Sequence, residues 1–255
     1  MMKNLSSFSI LLVLFSLSLG TAFAQPINVQ AQKVAEFGNI GADNESAHLD
    51  LLVNSLNESP NARGGVIGYS QQHFPPGAFL RRLYGYRHYL VNSRGIDPNR
   101  LLIVKGGNRD RITTELWLVP EGISVPTPSS EFTFSVTEAL RFDTAYPDCL
   151  SEVSITLEEF DDHLRFYAEA LRANPNARSR IIVYPGQRSS LRRATEMAQN
   201  TRRLLIRQYQ ISAERIMAQA RSRRRECSEI ELWVVPAGTF PARATHNIGM
   251  QRTRN

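Results

Sequence analysis

The chain has 255 residues, 42% of them hydrophobic and 21% charged, with 15 Gly and 13 Pro; this is a globular composition and excludes collagen-like, low-complexity and wholly disordered chains. Lys and Arg outnumber Asp and Glu by 30 to 24, for a formal charge of +6, and 27 of the 30 cations are arginines. That length and apolar content fit two small domains, each with its own core.

Residues 1–24 have the order of a secretory signal peptide. Lys3 precedes an apolar run from Phe8 to Leu19, then Gly20 and Thr21-Ala22-Phe23-Ala24 place small residues at the −3 and −1 positions of a cut after Ala24. Gln25, not cysteine, would be the new first residue, which closes the lipoprotein route. No later stretch approaches the ~18 apolar residues that a membrane span requires. The expected product is exported, periplasmic or extracellular, with no membrane span in the mature form.

A first strand is predicted over Val34–Phe37. Leu49, Leu52, Val53 and Leu56 recur at helical spacing behind Asn44, and Pro60-Asn61-Ala62-Arg63 turns into a short apolar strand, Gly65–Tyr69. A polar-rich helix follows over about 78–93, a strand near 101–105, and a closing strand through Glu115-Leu116-Trp117, whose Trp and aliphatics are expected in the core. Gly64-Gly65 and Gly106-Gly107 read as turns. Ser124–Ser130 has the composition of a linker.

The same series then returns. Glu138–Phe142 reads as a strand. Leu157, Phe160, Leu164, Tyr167, Ala168 and Leu171 form an apolar helical stripe behind Thr156, with Asp161, Asp162 and His163 on its solvated side. A strand over 180–184, a helix over 190–209, a strand over 215–219 and Glu231-Leu232-Trp233 complete it. Pro60-Asn61-Ala62-Arg63 recurs as Pro175-Asn176-Ala177-Arg178 and Tyr69 as Tyr184, both at an offset of 115. Gly95-Ile96-Asp97-Pro98-Asn99-Arg100-Leu101 matches Gln210–Ile216 at 115, and Glu115–Pro120 matches Glu231–Pro236 at 116. An offset that holds to within one residue across four landmarks is the signature of a duplicated module. The division is a signal peptide (1–24), module 1 (25–123), linker (124–130), module 2 (131–240) and a basic tail (241–255). The expected fold class is α+β: two tandem β-α-β-α-β-β modules, each a mixed sheet with two helices on one face.

Asn174–Arg178 leading into Ile181-Ile182-Val183-Tyr184, the long helix, the Gly95–Leu101 segment and the terminal Glu-Leu-Trp strand resemble the OmpA C-terminal-like domain, a periplasmic module that binds peptidoglycan. In that family an aspartate after the second strand and an arginine on the next helix hold the diaminopimelate of the peptide stem, the arginine as a planar fork on carboxylate. The matching positions here are Gln71 and Leu83 in the first copy, Gly186 and Ala198 in the second, so neither copy has the pair. The resemblance implies a ligand region at Tyr69, Gln71, Arg81 and Arg82, and at Tyr184, Arg188, Arg192 and Arg193, with a changed or lost ligand.

Charge supplies a second lead. Arg178–Arg225 holds 13 arginines against Glu196 and Glu214, whereas Asp143–Glu169 holds eight acids against Arg165. Such a basic face draws anionic partners outside the cytoplasm, and nucleic acid is not expected there. Cys149 and Cys227, the two cysteines, are expected to form a disulfide in an oxidising compartment. His48, His73, His88, His163 and His246 lack ligand spacing, and no nucleophile elbow or phosphate loop occurs; no metal, no cofactor and no enzymatic activity are expected. The expected function is a non-enzymatic cell-envelope binding or scaffold protein that associates with peptidoglycan or another anionic envelope polymer. The alternative is a protein-interaction or spacer module without a small-molecule site.

Overall fold

The computed structural model describes residues 30–126, 136–147 and 157–238. Residues 1–24, expected as a signal peptide, the tail 241–255, Cys149 and most of the expected linker lie outside the described residues. Module 1 comprises β1 (Gln32–Phe37), α1 (Ala42–Glu58), β2 (Arg63–Gln71), α2 (Pro76–His88, extended by a π-turn over Tyr89–Ser93), a 3-10 turn (Pro98–Arg100), β3 (Leu101–Arg109) and β4 (Thr113–Val119). Module 2 repeats the order with β5 (Leu140–Ala145), α3 (Leu157–Ala173), β6 (Arg178–Tyr184), α4 (Leu191–Arg207), a 3-10 turn (Ala213–Arg215), β7 (Ile216–Ala220) and β8 (Glu229–Val235). The protein is α+β, with two four-stranded mixed sheets ordered β1-β4-β2-β3 and β5-β8-β6-β7. In each, the second and third strands run parallel and the last lies antiparallel between the first and second. The parallel pair requires a crossover, which the second helix of each module supplies.

The duplication extends to irregularities. Both first strands carry a register shift at the same place, between Lys33 and Ala35 and between Arg141 and Asp143. Helix α1 buries the expected stripe of Leu49, Leu52, Val53 and Leu56. Arg100 and Arg215, which close the matching 3-10 turns, do the same work in each copy. Arg100 donates to the carbonyls of Leu56, Ser59 and Ala62 at 2.9–3.0 Å. Arg215 donates to those of Leu171, Asn174 and Ala177 at 2.7–3.0 Å. The last carbonyls of a helix have no partner within it, and one planar five-donor group ties them to the following turn. The recurring Pro-Asn-Ala-Arg turn and the downstream arginine are thus two halves of one device.

Three sequence expectations are corrected. Gly64-Gly65 and Gly106-Gly107 lie inside β2 and β3, not in turns. A Cβ on Gly64 would stand 3.1–3.2 Å from Leu56, Leu52 and Leu101, and one on Gly106 would stand 2.6 Å from the Tyr69 ring; these glycines let a helix and an aromatic approach the sheet. The strand expected over Glu138–Phe142 runs from Leu140 to Ala145. Trp117 and Trp233 are half-exposed on the helix-free face, each donating its indole N–H to the carboxylate two residues earlier, Glu115 at 3.1 Å and Glu231 at 2.9 Å. Residues i and i+2 share a face of a strand, so the Glu-Leu-Trp repeat encodes an outer pair around an inward Leu.

The modules share one continuous core. Helix α2 packs against α3 and β5, with the Tyr84 and Phe166 rings 5.1 Å apart and Gly77 so close to Phe142 and Asp143 that a Cβ would lie 2.7 Å from each. Asp143, 1% exposed, sits at the centre of the contact. It accepts a bidentate pair from Arg81 Nε (2.9 Å) and Nη2 (3.1 Å) and a bond from the Thr144 N–H (2.8 Å), and it lies 2.7 Å from His163 Nδ1. Burial pushes the Asp143 pKa up, but the bonds from His163 and Arg81 outweigh it and hold the carboxyl below its ordinary range. His163 is not on the solvated side of α3 as expected; it is 1% exposed.

Candidate functional site

The carboxyl ends of a parallel strand pair are where α/β sheets open a ligand crevice. In module 2 the loop after β6 (185–190) and the loop after β7 (221–228) meet there and are laced together. Arg221 N–H donates to Val183 O at 2.8 Å and Arg225 N–H to Pro185 O at 3.0 Å. Arg224 Nη1 reaches the carbonyls of Gly186, Gln187 and Ser189 at 2.8–3.2 Å. A Cβ on Gly186 would lie 2.7 Å from the Ser228 amide nitrogen, so the closeness of the loops depends on that glycine. Helix α4 starts from this platform, its N-terminus capped by Ser190 Oγ accepting from the Arg193 N–H at 3.2 Å.

Around this end stand exposed Arg188, Arg192, Arg193 and Arg223. Arg192 is 87% exposed and 3.7 Å from Glu196; among the described residues the other three have no carboxylate partner. The positive end of α4, whose first turn has no acid, adds to the field. Ser189 Oγ is buried beneath the rim and makes no hydrogen bond.

The expected site residues separate by copy. Arg188, Arg192 and Arg193 come together on this rim. Tyr184 lies at the end of β6 on the helix-free face, with the Arg225 guanidinium 4.6 Å above its ring. In module 1 the positions matching Arg192 and Arg193 are Gly77 and Ala78, and the two arginines of α2 that were expected at the site are committed elsewhere. Adjacent helix residues point about 100° apart, so Arg81 faces Asp143 while Arg82 binds Tyr86, Asn39, the Gly38 carbonyl and Glu45. Tyr69 is buried on the opposite face beneath Arg109, 3.3 Å from its ring centroid, with its hydroxyl 3.4 Å from Glu115. Gln71 is exposed at the end of β2.

Two charged clusters were not anticipated from the sequence. One is Arg81–Asp143–His163. The other is the outer carboxylate of each closing strand. Burial raises the Glu115 pKa, but bonds from Arg109 (2.8 Å), Lys33 (3.0 Å) and Trp117 outweigh it and bring it below the usual value. In module 2, Glu229 is pushed up by burial, with Glu231 adding to the rise against the lowering effects of Arg225 and Arg141. The repeated Glu-x-Trp was the available signal for the second cluster; the first had none, because its members belong to different modules.

Cys227 lies in the loop 221–228. Its expected partner, Cys149, is outside the described residues, so the bond is a proposal with a direct check. A thiol titration of the denatured, unreduced protein is expected to find no free thiol. Reduction is expected to cost up to roughly 4 kcal/mol of stability, as for a closed loop of about 78 residues; two titratable thiols would end that expectation.

Among the described residues no group of three or more His, Cys, Asp or Glu is placed to hold a metal ion, and no helix is long and apolar enough to cross a membrane. No protein-family model matches the chain, and no curated protein matches its sequence.

Proposed function

We propose that the chain is an exported, non-enzymatic binding or scaffold protein of the cell envelope, and that module 2 engages an anionic envelope polymer, with peptidoglycan as the leading candidate. The observation that carries this reading is the rim of Arg188, Arg192, Arg193 and Arg223. Of these four exposed guanidinium groups around the carboxyl end of a parallel strand pair, Arg192 alone lies within ion-pair distance of a carboxylate among the described residues, 3.7 Å from Glu196, and Glu226 is the exposed acid of the neighbouring loop. Exposed like charges at one end of a domain repel each other, and a polyanion relieves that repulsion while releasing counterions. The resemblance to OmpA-like modules supports the envelope setting, while the absent aspartate–arginine pair argues for contact through charge in place of a diaminopimelate clamp.

Co-sedimentation of the secreted chain with purified peptidoglycan, at low and physiological salt, tests this. Retention is expected at both, weaker at the higher salt because exposed charges are screened beyond a Debye length of about 8 Å. The Arg192→Ala/Arg193→Ala variant is expected to lose most of it. Absence of retention at physiological salt would remove the proposal and leave the protein-interaction or spacer reading in its place.

A further inference from the structure

The two copies differ at one corner of the helix-free face. The strand registers Gly64↔Leu101 and Ser179↔Ile216 make Arg180 the counterpart of Gly65, Gln219 of Val104 and Arg221 of Gly106. In module 1 this corner is closed: the place of a Cβ on Gly65 is taken by Val125 at 2.8 Å and Trp117 at 3.3 Å, and Gly106 lies under the Tyr69 ring. In module 2 the same corner holds two guanidinium groups aimed at one point. With the Gln219 amide oriented to satisfy its neighbours, its Oε1 accepts from Arg180 Nε at 3.2 Å, Arg180 Nη2 at 3.0 Å and Arg221 Nη2 at 3.3 Å. Among the described residues neither arginine has a carboxylate partner.

A neutral amide oxygen is a poor counterpart for two cations. Arg180 is half-buried, and its pKa is pushed down by burial and by the charge of Arg221. Tyr184 and the Glu231 carboxylate offset this only in part, so the net effect on Arg180 is still downward. A charged oxygen in the position of Gln219 Oε1 would meet three N–H donors already oriented toward it, and charge-assisted bonds of this kind are about twice as strong as neutral ones. Two fork-shaped donors with a combined charge of +2 match a dianion with several oxygens better than a single carboxylate. Trp233, the register partner of Arg180 on β8, is half-exposed next to it.

We propose that Arg180, Gln219 and Arg221 form a site for a phosphate monoester or pyrophosphate group, in which Gln219 Oε1 occupies the place of a ligand oxygen until the ligand displaces it. This site is separate from the arginine rim and goes beyond the polymer-binding reading, and each can fail without the other.

Calorimetric titration of the secreted chain with inorganic pyrophosphate is expected to show saturable one-site binding. Arg180→Gln is expected to weaken it about tenfold or more. Gln219→Glu, which places a carboxylate between the two arginines, is expected to abolish binding and to raise the melting temperature, so loss of binding cannot be ascribed to unfolding. Arg192→Ala/Arg193→Ala should leave the titration unchanged. A second arm uses phosphatidylcholine vesicles with and without phosphatidic acid. Retention on phosphatidic acid that Gln219→Glu removes would identify a lipid headgroup as the source of the phosphate, and binding of pyrophosphate alone would identify a soluble or glycan-borne one. Failure to bind either probe, or binding that survives both Arg180→Gln and Gln219→Glu, overturns the proposal.

Discussion

Asp143→Ala is expected to destabilise the protein by about 3 kcal/mol or more, the usual result of removing one partner from a buried, hydrogen-bonded charge cluster. The carboxylate is the hub of the contact between modules: it accepts two bonds from Arg81 of α2 and one from its own strand, and it stands 2.7 Å from His163 of α3. Its loss would leave the buried imidazole and the part-buried guanidinium without their shared carboxylate, while Gly77 would face a gap where the Asp143 side chain had been. Urea unfolding of Asp143→Ala, Arg81→Ala and the double variant checks this. The two substitutions are expected to couple by more than about 1 kcal/mol, as residues of one network do. A cost for Asp143→Ala under about 1 kcal/mol, within the range of a surface substitution, would show that the modules do not depend on the cluster.

The same carboxyl fixes a pH dependence. Its folded-state pKa lies below the ordinary value of 3.8. A depressed acid contributes stability that is fully present above the unfolded-state pKa and is lost as pH falls through the folded-state value. The Asp143 contribution is therefore complete at neutral pH and disappears below about pH 4. The stability difference between the native chain and Asp143→Asn is expected to shrink below that pH and to be constant between pH 5 and 8 as far as Asp143 is concerned.

Arg100→Ala and Arg215→Ala are each expected to cost about 2–3 kcal/mol, since each removes one charged donor from three carbonyls at a helix end. The carbonyls of Leu56, Ser59 and Asn174 would keep one backbone donor each, and those of Ala62, Leu171 and Ala177 would have to find water at partly buried positions. The two effects should add in the double variant, because the residues lie in different modules and share no partner. Lysine at either position is expected to recover little, because an ammonium presents its donors around one point and cannot span three carbonyls as the guanidinium plane does. A cost near zero at both positions would mean that the matched arginines are a relic of duplication without a present structural role.

Much of the architecture was legible in the sequence because it rests on short-range periodicity. Leucines at 49, 52 and 56 identify one helical face whatever lies above it, and the short apolar runs at Val66-Ile67 and Ile181–Tyr184, each entered from a Pro-Asn-Ala-Arg turn, identify strands. The offset of 115–116 shared by four landmarks, from Pro60/Pro175 to Glu115/Glu231, encodes the duplication without reference to any contact. In the candidate site, Arg188, Arg192 and Arg193 were legible for the same reason: they lie within six residues around one helix start, where the local chain alone brings them together.

What the sequence did not disclose lies between residues far apart in the chain. Arg81 and Arg82 look alike as neighbours, yet one spans 62 residues to Asp143 and the other 37 to Glu45. Trp117 and Trp233 were placed in the core on hydrophobicity, but face alternation puts them outside, satisfied by Glu115 and Glu231. Arg180 was one arginine among 13 until β7 set Gln219 and Arg221 beside it. The sequence by itself determined the duplicated element order, the buried stripe of α1 and the basic bias of the second copy. The tertiary structure alone decided which copy keeps its arginines exposed, because helical periodicity fixes the direction of a side chain and only the docking of α2 onto α3 and β5 supplies the partner it meets.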